Sequence, residues 1–199
     1  AILRALRSPQ THYTKEIYIN KANAHFNECP PDYMQAAEQC WGGCVFALKL
    51  KMFELGYGVT SLRALSAVEE LSLKACCDAE FVAVNPGMIT DLCNGWAAGH
   101  QMYRFHYGEA PFDVHYFEEK MQKAVFFIEN VEKLDGAKIK KSISAKIAEL
   151  EAPSLENDEE EKKRQEKLRK IGFRVRRAGK KDIFILNGIL KKNVTHVLF

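Results

Sequence analysis

Two short stretches constrain the fold of this chain more than any other feature. Ala24-His25-Phe26-Asn27 leads through Pro30-Pro31 into Asp32-Tyr33-Met34-Gln35-Ala36-Ala37-Glu38-Gln39-Cys40-Trp41, and much later His100-Gln101-Met102-Tyr103-Arg104-Phe105-His106-Tyr107-Gly108 closes another apolar-periodic run. Apolar positions recurring every three to four residues on both sides of a double proline describe two helices separated by a forced break, because proline lacks the amide a helix interior needs and clashes with the preceding turn. The later stretch places the one dense Arg/His/Tyr group at a helix C-terminus, where the helix dipole favours positive charge.

Following the same logic along the chain, residues 1–14 carry two arginines and a proline without a clean period and read as a lead-in. Ile17, Ile19, Ala22, Phe26 and Cys29 give a first helix from Lys15 to Cys29, ended by the prolines. Asp32 caps a second helix from Tyr33 to about Leu55, with Ala36, Ala37, Cys40, Trp41, Cys44, Leu48 and Met52 inward, and Gly42-Gly43 is expected to let a neighbouring backbone approach closely. Gly56-Tyr57-Gly58 stops it. Thr60-Ser61 caps a third helix to about Asp78, with Leu62, Leu65, Val68, Leu71 and Leu73 or Ala75 inward. Asn85-Pro86 reads as N-cap and N1 of a fourth, with Ile89, Leu92, Cys93, Trp96 and Met102 inward. Asp113 caps a fifth to about Leu134, carrying Phe117, Met121, Ala124, Val125, Ile128 and Val131.

The expected fold is therefore an all-α up-down bundle of about five helices over residues 15–135, with a short basic α+β extension at the C-terminus. Residues 136–158 read as a linker with a weakly amphipathic helix and an acidic hinge, and residues 159–199 as a charged helix followed by short strands around the Asn187-Gly188 turn signal. Helices two and five carry apolar residues over more than half their circumference: Val45, Phe46, Met52 and Phe53 on one, Phe117, Phe126 and Phe127 on the other. Five helices do not bury all of these, so a homodimer or an obligate protein partner is expected to cover them.

With 47% apolar residues in 199, the chain has enough material for a buried core. Lys49, Lys51 and Glu54 interrupt the best apolar run, and no signal-peptide pattern opens the chain, so a soluble intracellular protein, cytoplasmic or nuclear, without membrane partners is expected. Residue 1 is Ala and not Met, which suggests a piece of a longer chain. The six cysteines stand at helical positions with no Cys-x-x-Cys, which favours free buried thiols over a disulfide framework or a zinc site. Cys40 and Cys44, one turn apart, read as core and not as a metal pair. No metal and no cofactor is expected.

The net charge of +3 conceals an asymmetry. Between Lys162 and Lys192 thirteen Lys/Arg face two acidic residues, an excess of +11 that leaves −8 for the remainder. Arg174, Arg176, Arg177, Lys180 and Lys181 flank Phe173 and Phe184, an interleaving of cations and rings suited to phosphate contact and base stacking. The bland alternatives are a nuclear-import signal or a tail whose ends, Ile183 to Leu190 and Val194 to Phe199, dock on the bundle or on a partner through residues 173–199, for instance by strand addition.

Ala24 and Phe26, then Asp32-Tyr33, Gln35-Ala36, Glu38, Trp41 and Leu48-Lys49, then the aromatic-rich Met102 to Tyr107 before a Gly/Glu turn, make the bundle resemble the HEPN superfamily (higher eukaryotes and prokaryotes nucleotide-binding), especially its archaeal branch, over about residues 15–135. The resemblance implies an all-α bundle that dimerises through its long helices and, in many members, a metal-independent ribonuclease site made of an Arg followed four to six residues later by His. This chain departs from that motif. Arg104 is followed by His106 after one residue and by His115 after ten, and the literal Arg-x4-His is Arg7 to His12, outside the bundle. Members without the pair act as RNA-binding, nucleotide-binding or scaffolding modules.

Metal-free RNA cleavage needs a proton acceptor, a proton donor and a cation for the charged phosphorane. Arg104, His106 and Tyr103 or Tyr107 supply those types, but on a helix residues 104 and 106 point about 200° apart, so both face one cleft only if the helix unwinds before Gly108. The bland reading of the group is a stabilising C-terminal cap with aromatic packing. His100, one turn before Arg104, forms the better pair for gripping a phosphate, against the alternative of a histidine packed on the neighbouring helix. Trp41 and Trp96 read as core. The sequence thus favours an RNA- or nucleotide-binding or assembly subunit, with His100, Arg104 and the five tail cations as binding candidates. An endoribonuclease using Arg104 and His106 and a helical-hairpin protein adaptor are the alternatives.

Overall fold

The computed structural model describes residues 14–109, 111, 113–151, 185–186 and 189–191. Among the described residues seven α-helices build an all-α bundle: α1 Lys15–Phe26, α2 Tyr33–Glu54, α3 Leu62–Cys76, α4 Ala79–Val84, α5 Met88–His106, α6 Phe117–Asn130 and α7 Gly136–Glu151. Three short strands accompany them, β1 Tyr57–Val59, β2 Ile185–Leu186 and β3 Ile189–Lys191. Among the described residues no helix is long and apolar enough to cross a membrane.

Side-chain caps set most helix starts. Thr14 Oγ1 accepts from the Ile17 amide, Asp32 Oδ1 from Gln35, Ser61 Oγ from Ala64 and Asp78 Oδ1 from Phe81, each occupying an amide the first helical turn leaves without a partner. The fourth expected helix begins differently from its sequence signal. Asn85 closes the short helix α4, its Nδ2 donating to Phe81 O, and the cap of α5 is Gly87, whose φ of 81° is the left-handed backbone that glycine adopts without strain. The first helix is also shorter than expected: Asn27 sends both its amide and its Nδ2 to Asn23 O, α1 ends at Phe26, and Cys29 is exposed in the turn that follows.

α2 is the central helix, packed by α1, α5 and α6, while α3 carries α7. Its Ala36, Ala37, Cys40, Cys44, Leu48 and Met52 are buried, as the stripe requires. Small residues decide how closely the helices meet. A Cβ on Gly95 would stand 2.5 Å from Lys123 O and 2.7 Å from Phe127 Cβ, so α5 and α6 touch nearly backbone to backbone there. The expected close approach at Gly42-Gly43 is of another kind, because the Tyr18 ring covers Gly42, and Gly43 meets the Ile128 side chain and Tyr18 Cβ.

Two expectations are corrected by the packing. The segment assigned to a linker starts as α7, which lays Ile139, Ile143 and Ile147 into the common core. Lys138 Nζ also bridges to Asp78 Oδ2 at 2.6 Å, and Tyr57 Oη lies 3.1 Å from Ser144 Oγ. The second correction concerns the surplus apolar faces. Met52, Phe117 and Phe127 are fully buried within the single chain, Val45 and Phe126 pack against the core, and Phe46 meets the Tyr18 ring at 5.6 Å. Only Phe53 of that set is exposed, at 45%. A helix with three helical neighbours thus buries most of its circumference within the chain itself.

β3 pairs antiparallel with β1, Gly58 opposite Leu190, and also with β2, Leu186 opposite Ile189. The apolar strand at 189–191 thus adds to the edge of the chain's own β1. The rest of the basic extension, including Arg174, Arg176, Arg177, Lys180 and Lys181, lies outside the described residues, as does the lead-in before Thr14.

Candidate functional site: the C-terminal end of α5

The group singled out in the sequence occupies the last two turns of α5. At about 100° per residue, His100, Tyr103 and Tyr107 form one strip of the helix surface, Arg104 and Gln101 flank it on one side, and His106 flanks it on the other. The side-chain contacts follow that order.

The strip is a row of rings running from core to solvent. Buried Phe127 meets Trp96 at a centroid distance of 5.4 Å, Trp96 meets Trp41 of α2 at 5.2 Å, and Trp41 meets both His100 at 5.7 Å and Tyr103 at 5.4 Å. His100 and Tyr103 stack with only 21° between their planes, and Tyr103 hands on to Tyr107 at 4.9 Å. Trp96 is core, 7% exposed, whereas Tyr107 stands 62% exposed at the outer end. Each step fits the offset or tilted geometry that ring quadrupoles prefer, so the inner rings hold the outer ones in place. His100 belongs to this row, which is the packed-histidine alternative, and its edge toward Trp41 separates it from the cleft beside it.

That cleft, of about 510 Å³, is lined by Gln101 and Arg104 of α5, by Pro111, Asp113 and Tyr116 of the connection, and by Glu119 and Lys120 of α6. Its two carboxylates already have partners. Asp113 Oδ1 accepts from the His115 amide, and Glu119 pairs with Lys123, whose hydrogen bond holds the Glu119 carboxyl below its ordinary range. Arg104 and Lys120 form no ion pair with any described residue, and Arg104 is exposed. The cleft therefore sets two cations, Arg104 and Lys120, beside two carboxylates, and the Lys120 charge helps to keep Glu119 ionised.

His106 is elsewhere. α5 stays wound through His106, and the His106 ring nitrogen Nδ1 donates to Met34 O of α2 at 3.0 Å. Arg104 and His106 consequently do not face one cleft within the chain, and the structure brings together Arg104 and Lys120 instead. Lys120 was missed because nothing in its own helix marks it; only the packing of α6 against α5 brings it to the cleft that Arg104 lines.

The cysteines divide into two groups. Cys40 and Cys44 are buried, burial pushes the Cys40 thiol up to about 12 and Cys44 well above its ordinary value, and Cys44 Sγ donates to Ala124 O. Thiols held protonated in this way pack as small apolar groups. Cys29, Cys77 and Cys93 are exposed, contrary to the expectation of buried thiols throughout and of Cys93 facing inward. Compared with protein-family models, curated proteins and solved structures, the chain matches none.

Proposed function

We propose that this chain is a HEPN-like subunit that binds single-stranded RNA or a nucleotide on the outer end of α5 and does not cleave it. The observation that carries the reading is the ring row ending in exposed Tyr107, one turn of α5 from Arg104, which lines a cleft together with Lys120. An exposed ring held by the rings beneath it offers a base a stacking surface at little entropic cost, and adjacent cations take the phosphate. The basic extension from Arg174 to Lys181 would add phosphate contacts to the same strand. Binding is favoured over catalysis because Arg104 and His106 stand on opposite flanks of the row, with His106 already engaged by Met34 O.

The test is a titration of the purified full chain with labelled single-stranded RNA in the presence of a chelator. Binding without cleavage is expected. Tyr107→Ala should weaken it by about 1–3 kcal/mol, the usual worth of one stacked base. RNA cleavage that disappears in His106→Ala would replace this reading with the ribonuclease. Failure to bind RNA at low salt, together with a protein that co-purifies through residues 173–199, would replace it with the adaptor.

A further inference from the structure

The turn between α1 and α2 brings together three ligand-type side chains that the RNA reading does not use. His25, Glu28 and Asp32 each offer one donor atom, and all three atoms lie within 4.8 Å of one another. His25 Nδ1 and Glu28 Oε1 are already 2.8 Å apart. Asp32 spends Oδ1 on the Gln35 amide as the cap of α2, which leaves Oδ2 for another role. We propose that His25, Glu28 and Asp32 form a mononuclear site for a borderline divalent cation of the zinc class, with its remaining coordination positions open to water or an anion.

Distance, chemistry and access support this assignment. Tetrahedral ligands at the usual Zn–N and Zn–O lengths of about 2.1 Å sit about 3.4 Å from each other. The three donor atoms stand within 4.8 Å of one another, so binding has to draw them together by up to about 1.4 Å. One imidazole nitrogen with two carboxylates suits zinc or cobalt, whereas magnesium prefers oxygen ligands alone and copper(I) prefers sulfur. The backbone fixes the donors beforehand, because the Asp32 amide donates to His25 O at 3.0 Å and the Glu28 amide to the same oxygen at 3.3 Å. The positive end of α2 opposes a cation, but two carboxylates outweigh it. Access comes from a hollow of about 410 Å³ on the Glu28 and Asp32 side, bordered also by Tyr33, Met34 and Phe105. A three-ligand set with open positions is the pattern of a metal that holds an exogenous ligand, not of a closed structural site.

The competing account of these side chains is an i, i+3 ion pair beside a helix cap, and the two accounts separate in solution. The full chain is titrated with Zn²⁺ by calorimetry and with Co²⁺ by visible absorption, beside the His25→Ala, Glu28→Gln and Asp32→Asn variants. One ion per chain is expected, with each variant at least tenfold weaker. Asp32→Asn keeps the cap, since Asn caps as well as Asp, so an unchanged circular dichroism spectrum with weakened binding isolates the ligand role. The Co²⁺ spectrum should show ligand-field bands without thiolate charge transfer. Thiolate bands would place the ion on exposed Cys29, Cys77 or Cys93 and overturn the proposal, as would the absence of stoichiometric binding or affinity unchanged in all three variants.

Discussion

His106 Nδ1 donates to Met34 O at 3.0 Å, tying the end of α5 to the first turn of α2. Helix N-terminal turns offer free amides, not carbonyls, so the bond is a tertiary cross-link and not a cap. Its contribution is that of an ordinary, half-exposed hydrogen bond, about 1 kcal/mol. His106→Ala should lower unfolding stability by that amount in urea titration and leave RNA affinity within about twofold, since the stacking ring and the cleft cations remain. Loss of RNA binding with unchanged stability would put His106 in the binding face.

Glu69 should make the bundle more stable at mildly acidic pH than at neutral pH. Burial, and secondarily the carboxylate of Glu70, pushes the Glu69 carboxyl up to about 7 from an ordinary value of 4.5. A carboxyl whose folded value is raised contributes stability that is complete below the unfolded value and is lost as pH rises through the folded one, because the folded state then holds the extra proton. The window runs from 4.5 to about 7, and the loss across it is on the order of 2 kcal/mol after allowing for the partial exposure of Glu69. Glu69→Gln should flatten the pH dependence of the urea midpoint across that window.

Gly95→Ala is expected to be the most damaging single-methyl addition in the bundle. The added carbon meets a carbonyl oxygen at 2.5 Å and a Cβ at 2.7 Å, neither of which swings away, so α5 and α6 must separate. Overpacking of this kind costs roughly 1–3 kcal/mol. Gly42→Ala meets only the edge of the Tyr18 ring, whose side chain rotates, and should cost less. Thermal unfolding of the two variants in parallel tests the ranking.

The helices with the strongest stripes were legible in the sequence, together with the Asp32 and Ser61 starts, whereas Asp113 caps only a 3-10 turn at Val114–Tyr116 and α6 begins after it, at Phe117. What escaped was contact made by elements with weak local signals. The three isoleucines of α7 stand one turn apart among lysines and serines, a narrow stripe that looks marginal until α3 supplies the facing surface. α4 is one and a half turns with no buried residue, too short to show a period. Asn85-Pro86 resembled a helix start because asparagine serves equally at either end of a helix, and here it closes α4. At the site, the chemistry-bearing residue types were readable, but their grouping was not. Helical angle already set Arg104 apart from His106, whereas the approach of Lys120 depends on how α6 packs against α5.

Thiol labelling offers an independent check on the core. Cys40, Cys44 and Cys76 are buried and their thiols are pushed upward, so in the native protein they should resist a disulfide reagent at neutral pH. Cys29 and Cys77 should react first. Cys93 should follow, since burial and the nearby Glu69 charge raise its thiol. Three of the six cysteines reacting in native buffer and all six in denaturant is the expected count; a fourth native thiol would mean that the packing over Cys40 and Cys44 in α2, or over Cys76 at the end of α3, opens on the reagent's timescale.

Stacking and charge contribute to RNA affinity with different salt signatures, and this separates the α5 face from the basic extension. Each phosphate neutralised on a single strand adds about 0.7 to the slope of log K against log salt, while a stacked ring adds nothing to it. Neutralising Arg174, Arg176, Arg177, Lys180 and Lys181 together should therefore lower the slope by roughly 3 to 4 and reduce affinity mainly at low salt. Arg104→Gln should lower it by about 0.7. Tyr107→Ala should displace the whole line downward without changing its gradient. If the five-residue variant keeps the slope of the parent, the strand is not held by the extension, and a tail variant that loses a protein partner at the same time would assign residues 173–199 to protein docking, leaving the α5 face as the sole RNA contact.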